Sequence, residues 1–163
     1  MKTLVLGIGN PILTDDSVGI KAVKSLEASL KNGDVDFLPA DIDGLSFLDV
    51  MMGYDRAVII DSIITGKAPV GTIHRLTLDD LSFSISPGSA HSINLATAID
   101  LGRKLKLPVP EFIEIFAVES KDVTSFGENL TPELEEKFQG IVKDIEKEIS
   151  KGASRPNRKG FTK

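Results

Sequence analysis

Residues Ala57–Ile60 are apolar at every position, and Thr3–Leu6 is nearly so before it meets Gly7. A strand with one wet face alternates, so unbroken runs this short belong to strands covered on both sides, as in a parallel sheet sandwiched by helices. Between these runs the period changes. Val18, Ala22, Val23, Leu26 and Leu30 fall three or four residues apart within Ser17–Leu30, which makes one helical face. Val35–Leu38 reads as a second strand and Leu45–Met52 as a short helix. Thr72–Leu76, after a Pro69/Gly71 turn, reads as an edge strand.

His91–Leu107 carries Ile93, Leu95, Ala98, Ile99, Leu101 and Leu105 and predicts a helix stopped by Pro108; Phe112–Val118 is a further strand. Thr131-Pro132-Glu133 opens the last helix with a hydroxyl at the cap and proline at the first helical position. Its inward residues are Leu134, Phe138, Ile141, Val142, Ile145 and Ile149, ending near 149. The order β-α-β-α-β-β-α-β-α predicts a three-layer α/β/α sandwich, with a mostly parallel five-stranded sheet and one antiparallel edge strand. Residues 1–150 form one α/β domain, and 151–163 a basic, flexible C-terminal tail.

Charge narrows the partners. The net of -5 is uneven: the tail takes five of the 19 basic residues, leaving 14 against all 24 acids in residues 1–150, a net of -10. An acidic body is a poor partner for a nucleic-acid backbone. No apolar run reaches the roughly 20 residues of a membrane span. The opening Met1–Gly7 segment reads as a buried strand and not a signal peptide, so the expected location is cytoplasmic and the expected state a monomer. There is no cysteine, which removes disulfides, thiolate metal sites and a cysteine nucleophile. Any metal site must use carboxylates with His74 or His91.

Ligands of open parallel sheets bind beyond the carboxyl ends of the strands. Asp15 and Asp16 follow the first strand, Asp41 and Asp43 the second, Asp61 closes the third and Glu119 the last. His91 opens a helix after the Ser86–Ala90 stretch, whereas His74 falls on the edge strand, away from that rim, and reads as structural. Singly, Asp15 and Asp16 suit a helix start, and Asp61 a chain turn. Together, oxygen donors and one imidazole at one rim suit a divalent transition ion with coordination positions left open.

Other chemistries fit less well. Gly7-Ile8-Gly9 after a strand suggests dinucleotide binding, but Ile12 holds the third glycine's place and two acids crowd the expected pyrophosphate site. No Gly-x-Ser-x-Gly elbow or His-Glu-x-x-His pair exists. Gly7–Pro11 also resembles the opening of peptidyl-tRNA hydrolase, yet no histidine follows before His74, where that family places a catalytic one soon after.

The segment Leu4-Val5-Leu6-Gly7-Ile8-Gly9-Asn10-Pro11-Ile12-Leu13-Thr14-Asp15-Asp16-Ser17-Val18-Gly19 resembles the Gly-x-Gly-Asn signature and acidic pair of the nickel–iron hydrogenase maturation endopeptidases. Val58–Ser62, His91 with Leu95, and Leu130–Glu133 match that family's later segments in order, and the likeness spans about residues 1–148. Ser17 after the acids, Asn94, and Asp43-Gly44-Leu45 depart from the usual pattern. The resemblance implies that Asp16, Asp61 and His91 bind nickel and carry the activity, with Asp15 and Asp43 as reserve candidates. It implies an endopeptidase that removes a C-terminal extension from the nickel-loaded hydrogenase large-subunit precursor, the precursor supplying the nickel and no organic cofactor taking part. The alternatives are a nickel- or precursor-binding maturation factor without peptidase activity and, less favoured, a dinucleotide-binding domain.

Overall fold

The computed structural model describes residues 1–30, 33–83 and 90–153, and for 82, 83, 90–94 and 153 the backbone alone. Five strands form one sheet in the order β2-β1-β3-β5-β4: β1 Thr3–Ile8, β2 Val35–Ala40, β3 Arg56–Ile63, β4 Ile73–Leu76 and β5 Phe112–Glu119. The pairs β1–β2, β1–β3 and β3–β5 are parallel; β4 pairs antiparallel with β5 at the edge. This is the three-layer, mostly parallel architecture that the alternation of apolar runs and helical faces predicts.

Helices cover both faces. On one side α1 (Val18–Ser29) and α5 (Pro132–Ala153) pack Val18, Ala22, Val23, Leu26, Leu134, Phe138, Ile141 and Ile145 onto Val5, Val58, Ile60 and Val118. On the other, α2 (Ser46–Met51), α3 (Leu78–Phe83) and α4 (Ala90–Lys104) contribute Phe47, Leu48, Met51, Leu81, Leu95, Ala98 and Ile99 against Leu4, Leu6, Ile59 and Ile115. Alternation along β3 therefore sends even-numbered side chains to α1 and α5 and odd-numbered ones to α2 and α4.

Several boundaries differ from expectation. β3 continues through Asp61 to Ile63 and β5 through Glu119, so both acids lie inside strands, held by ladder geometry instead of by a turn. α4 stops at Lys104; Lys106 takes φ 56 and the Leu107 N–H closes back onto the Gly102 carbonyl. The helix thus ends four residues before Pro108, and both Leu101, inside it, and Leu105, just past its end, are exposed instead of facing the core. The short α3 follows β4 in a segment without apolar periodicity long enough to signal it. α5 runs on through Ala153, so the first three residues of the basic segment are helical, and its remainder lies outside the described residues. Among the described residues no helix is long and apolar enough to cross a membrane.

Candidate active site

The Gly7–Gly19 segment folds back on itself because three glycines leave no Cβ in the way. A Cβ on Gly7 would strike the Gly19 carbonyl, and one on Gly19 would strike the Ile60 and Ile8 carbonyls, so α1 seats directly on β1 and β3. Gly9 has φ 148, and a Cβ there would overlap the Asp16 carbonyl. The Asn10 N–H donates to Asp16 Oδ2 at 2.8 Å. A side-chain carboxylate of the protein thus occupies the anion position that a dinucleotide turn keeps for pyrophosphate. The glycines serve close packing, which disfavours the dinucleotide reading.

The two adjacent acids have different work. Asp15 is fully buried and reaches across to the β5–α5 connection. Its Oδ2 accepts from the Lys121 N–H at 2.9 Å, the Asp122 N–H at 3.2 Å and the Thr131 hydroxyl at 2.9 Å; its Oδ1 accepts from the Thr131 N–H at 2.7 Å. The Thr131 hydroxyl, expected to cap α5, is turned to donate to Asp15. Asp16, 9% exposed, keeps its carboxylate at the mouth of the sheet: Oδ1 accepts from the Ser62 hydroxyl at 2.9 Å while Oδ2 takes the Asn10 N–H. Both acids sit in a 3-10 turn, Thr14–Ser17, ahead of α1, and neither Leu13 nor Ser17 at the helix starts makes a side-chain cap bond.

Asp61 is buried in β3, one residue before Ser62, and its Oδ1 accepts the Ser62 N–H at 2.8 Å. By alternation Asp61 takes the α4 side and Ser62 the α1 side. The chain therefore brings Asp16 from the β1–α1 turn against the residue beside Asp61, at the carboxyl ends of the two central strands. His91 lies in the first turn of α4. The 105–111 segment joins the end of α4 to the start of β5 at the sheet's amino edge, where the Gly53 N–H bonds the Pro108 carbonyl. α4 then runs back along the sheet, and its first turn points toward the carboxyl edge on the Asp61 side. The His91 side chain itself is outside the described residues. Among the described residues no group of three or more His, Cys, Asp or Glu is close enough to hold a metal ion. Asp41 and Asp43 lie exposed on the loop after β2, and among the described residues the hydrogen bonds of the Asp16 carboxylate go to Asn10 and Ser62 and not to them.

His74 is nearer the rim than its edge strand suggests. β4 runs antiparallel, so its start pairs with the end of β5, and His74 Nε2 lies 2.8 Å from Glu119 Oε2. Glu119 is 2% exposed and also accepts from the Thr65 N–H and hydroxyl and the Gly66 N–H, at 2.8–3.1 Å. Burial pushes the Glu119 carboxyl up, but the donors from Thr65, His74 and Gly66 outweigh it and hold the group below its usual range. This cluster ties down the β3–β4 loop that follows Asp61. Its signal in the sequence was a lone acid at a strand end, with nothing to pair it with a histidine 45 positions earlier.

A family model of hydrogenase maturation proteases matches residues 20–148. Over 125 residues the chain is 30% identical to the hydrogenase 2 maturation protease of Escherichia coli, covering 70% of this chain and 76% of that protein. It is 26% identical over 142 residues to the hydrogenase expression/formation protein HupD of Thiocapsa roseopersicina, covering 85% of this chain and 63% of that one. The hydrogenase maturating endopeptidase HybD of Escherichia coli superposes with a TM-score of 0.78 at 25% identity, over 93% of this chain and 94% of that one. For the HybD maturation protease of Thermococcus kodakarensis the TM-score is 0.67 at 26% identity, over 90% and 98%. The matched span takes in most of α1, β3 with Asp61, α4 and most of α5, and with the shared sheet it makes this chain a member of the hydrogenase maturation protease family.

Proposed function

We propose that the protein is an endopeptidase that removes a C-terminal extension from a nickel-loaded hydrogenase large-subunit precursor, with Asp16, Asp61 and His91 engaging the nickel that the precursor presents. The observation that carries this is the bond from Ser62 to Asp16. It draws a carboxylate from the β1–α1 turn against the residue next to Asp61, at the open end of the sheet, while α4 directs its first turn to the same edge. Two carboxylates at one rim of the sheet carry like charge, and a divalent ion bound between them would relieve their repulsion. Oxygen and imidazole donors suit nickel.

The nickel is part of the substrate. Binding it anchors the precursor, so the bond to be cut rests in the crevice and proximity supplies much of the rate. Hydrolysis adds water across that bond: the water oxygen joins the carbonyl carbon, the C–N bond breaks, and the new amine takes a proton. The family membership and the relatives named as maturation proteases support the peptidase over a binding factor without cleavage.

The test is to incubate the purified protein with nickel-loaded and nickel-free precursor and to weigh the products. A mass loss only with nickel is expected. Stable binding with no mass loss favours the non-proteolytic factor, and equal cleavage without nickel removes the metal from recognition.

A further inference from the structure

We infer that Ser62 is a positioning residue for capture of the nickel-bearing precursor, a role that rests on the function proposed above. Ser62 alone among the described residues is bonded to both carboxylates: its N–H holds Asp61 Oδ1 at 2.8 Å and its hydroxyl holds Asp16 Oδ1 at 2.9 Å. The Asn10 N–H holds the other Asp16 oxygen at 2.8 Å. With one donor on each oxygen, the Asp16 carboxylate plane is fixed about its terminal torsion, an otherwise broad one. Each oxygen keeps a lone pair, so Asp16 meets an incoming cation through one oxygen without first reorienting.

Ser62 is 4% exposed, so water competes poorly for this bond in the free protein. The sequence also separates the two contacts chemically. The hold on Asp61 comes from the backbone and survives any substitution except proline; the hold on Asp16 comes from the hydroxyl alone. Replacing Ser62 with alanine therefore releases one oxygen of Asp16, which stays held only through Asn10, and leaves the backbone hold on Asp61 in place. Threonine restores the hydroxyl. Among the described residues Ser62 is the donor to Asp16 Oδ1, so Ser62→Ala leaves that oxygen without its partner.

The experiment compares wild type, Ser62→Ala and Ser62→Thr on nickel-loaded precursor, with thermal unfolding recorded for each. An interaction that only orients the captured substrate raises KM and spares kcat. Ser62→Ala is expected to raise KM roughly tenfold with kcat within about twofold, the scale of one lost hydrogen bond to a charged group. Ser62→Thr is expected to recover most of that loss. A wild-type KM in Ser62→Ala overturns the proposal, and so does a fall in kcat and melting temperature with KM unchanged, which marks a purely structural bond. Nickel-free precursor on the wild type separates the two levels of inference. If it is cut equally well, the nickel reading fails and Ser62's role falls with it; if nickel is required and Ser62→Ala is normal, Ser62's role alone is overturned.

Discussion

Asp15 and Thr131 are joined twice, the Thr131 N–H on one carboxylate oxygen at 2.7 Å and its hydroxyl on the other at 2.9 Å, across 116 positions of sequence. The bond clamps the start of α5 to the turn that carries Asp16. The acidic pair thus divides its labour: Asp15 faces inward and holds the loops, and Asp16 stays at the carboxyl end of the sheet, bonded to Asn10 and Ser62.

Asp15→Asn should therefore cost stability. Its Oδ2 accepts three donors, and an amide nitrogen there would face N–H groups instead of accepting from them. Losing charge-assisted bonds at a fully buried site predicts about 3 kcal/mol of destabilisation, read as a lower urea midpoint. Asp16→Asn keeps an acceptor for one of its two donors at the crevice mouth. It is expected to lower the midpoint by about 1 kcal/mol and to lose processing almost completely. If Asp15→Asn were as stable as wild type and Asp16→Asn unfolded, the division would be reversed.

Gly9→Ala tests the glycine segment. Its φ of 148 and the overlap of a new Cβ with the Asp16 carbonyl predict a cost of about 2–3 kcal/mol and displacement of Asp16. Gly140, in α5 with open space around its missing Cβ, is the control. There alanine should stabilise by roughly 0.5–1 kcal/mol through helix preference alone, with processing unchanged. Denaturant titrations of the pair, alongside precursor cleavage, check both signs.

The sheet was legible from sequence because burial on both faces leaves an unbroken apolar signature, as in Ala57–Ile60, and α5 because Leu134 through Ile149 keep their spacing. The end of α4 was not, because a positive φ at Lys106 has no apolar trace and Leu101 and Leu105 still fit a helical period. At the site, the strand-end rule found the rim acids. It could not tell Asp15 from Asp16, since the difference lies in which distant loop each carboxylate meets. Ser62 was hidden as an ordinary polar residue after Asp61, and Glu119 with His74 as two unrelated positions.

Acid should weaken the protein in part through Glu119. Its folded value lies below the ordinary 4.5, so the stability it contributes is complete above the unfolded value and is lost as pH falls through the lower folded one. The melting temperature should drop on acidification below about pH 4.5, and Glu119→Gln should flatten that drop while lowering stability near neutrality. Asp122 and Glu148, each held down to about 2 by its hydrogen-bond partners, titrate in the same direction, so the slope is reduced and not abolished. An unchanged acid slope in Glu119→Gln would show that the Thr65, Gly66 and His74 bonds do not favour the charged form.

The two histidines should separate by readout. His74 bonds a buried carboxylate that pins the β3–β4 loop, so His74→Gln is predicted to cost about 1 kcal/mol of stability and to leave nickel-dependent cleavage within a fewfold of wild type. His91, in the first turn of α4 at the carboxyl edge, makes the opposite prediction. His91→Ala should lose at least about 100-fold in cleavage of nickel-loaded precursor, because under the proposed function it removes an imidazole that engages the metal. Melting curves with timed mass spectrometry of the precursor measure both quantities on each variant. Processing lost in His74→Gln and kept in His91→Ala would move the imidazole of the site to β4 and require Glu119, not Asp16, as its neighbouring carboxylate.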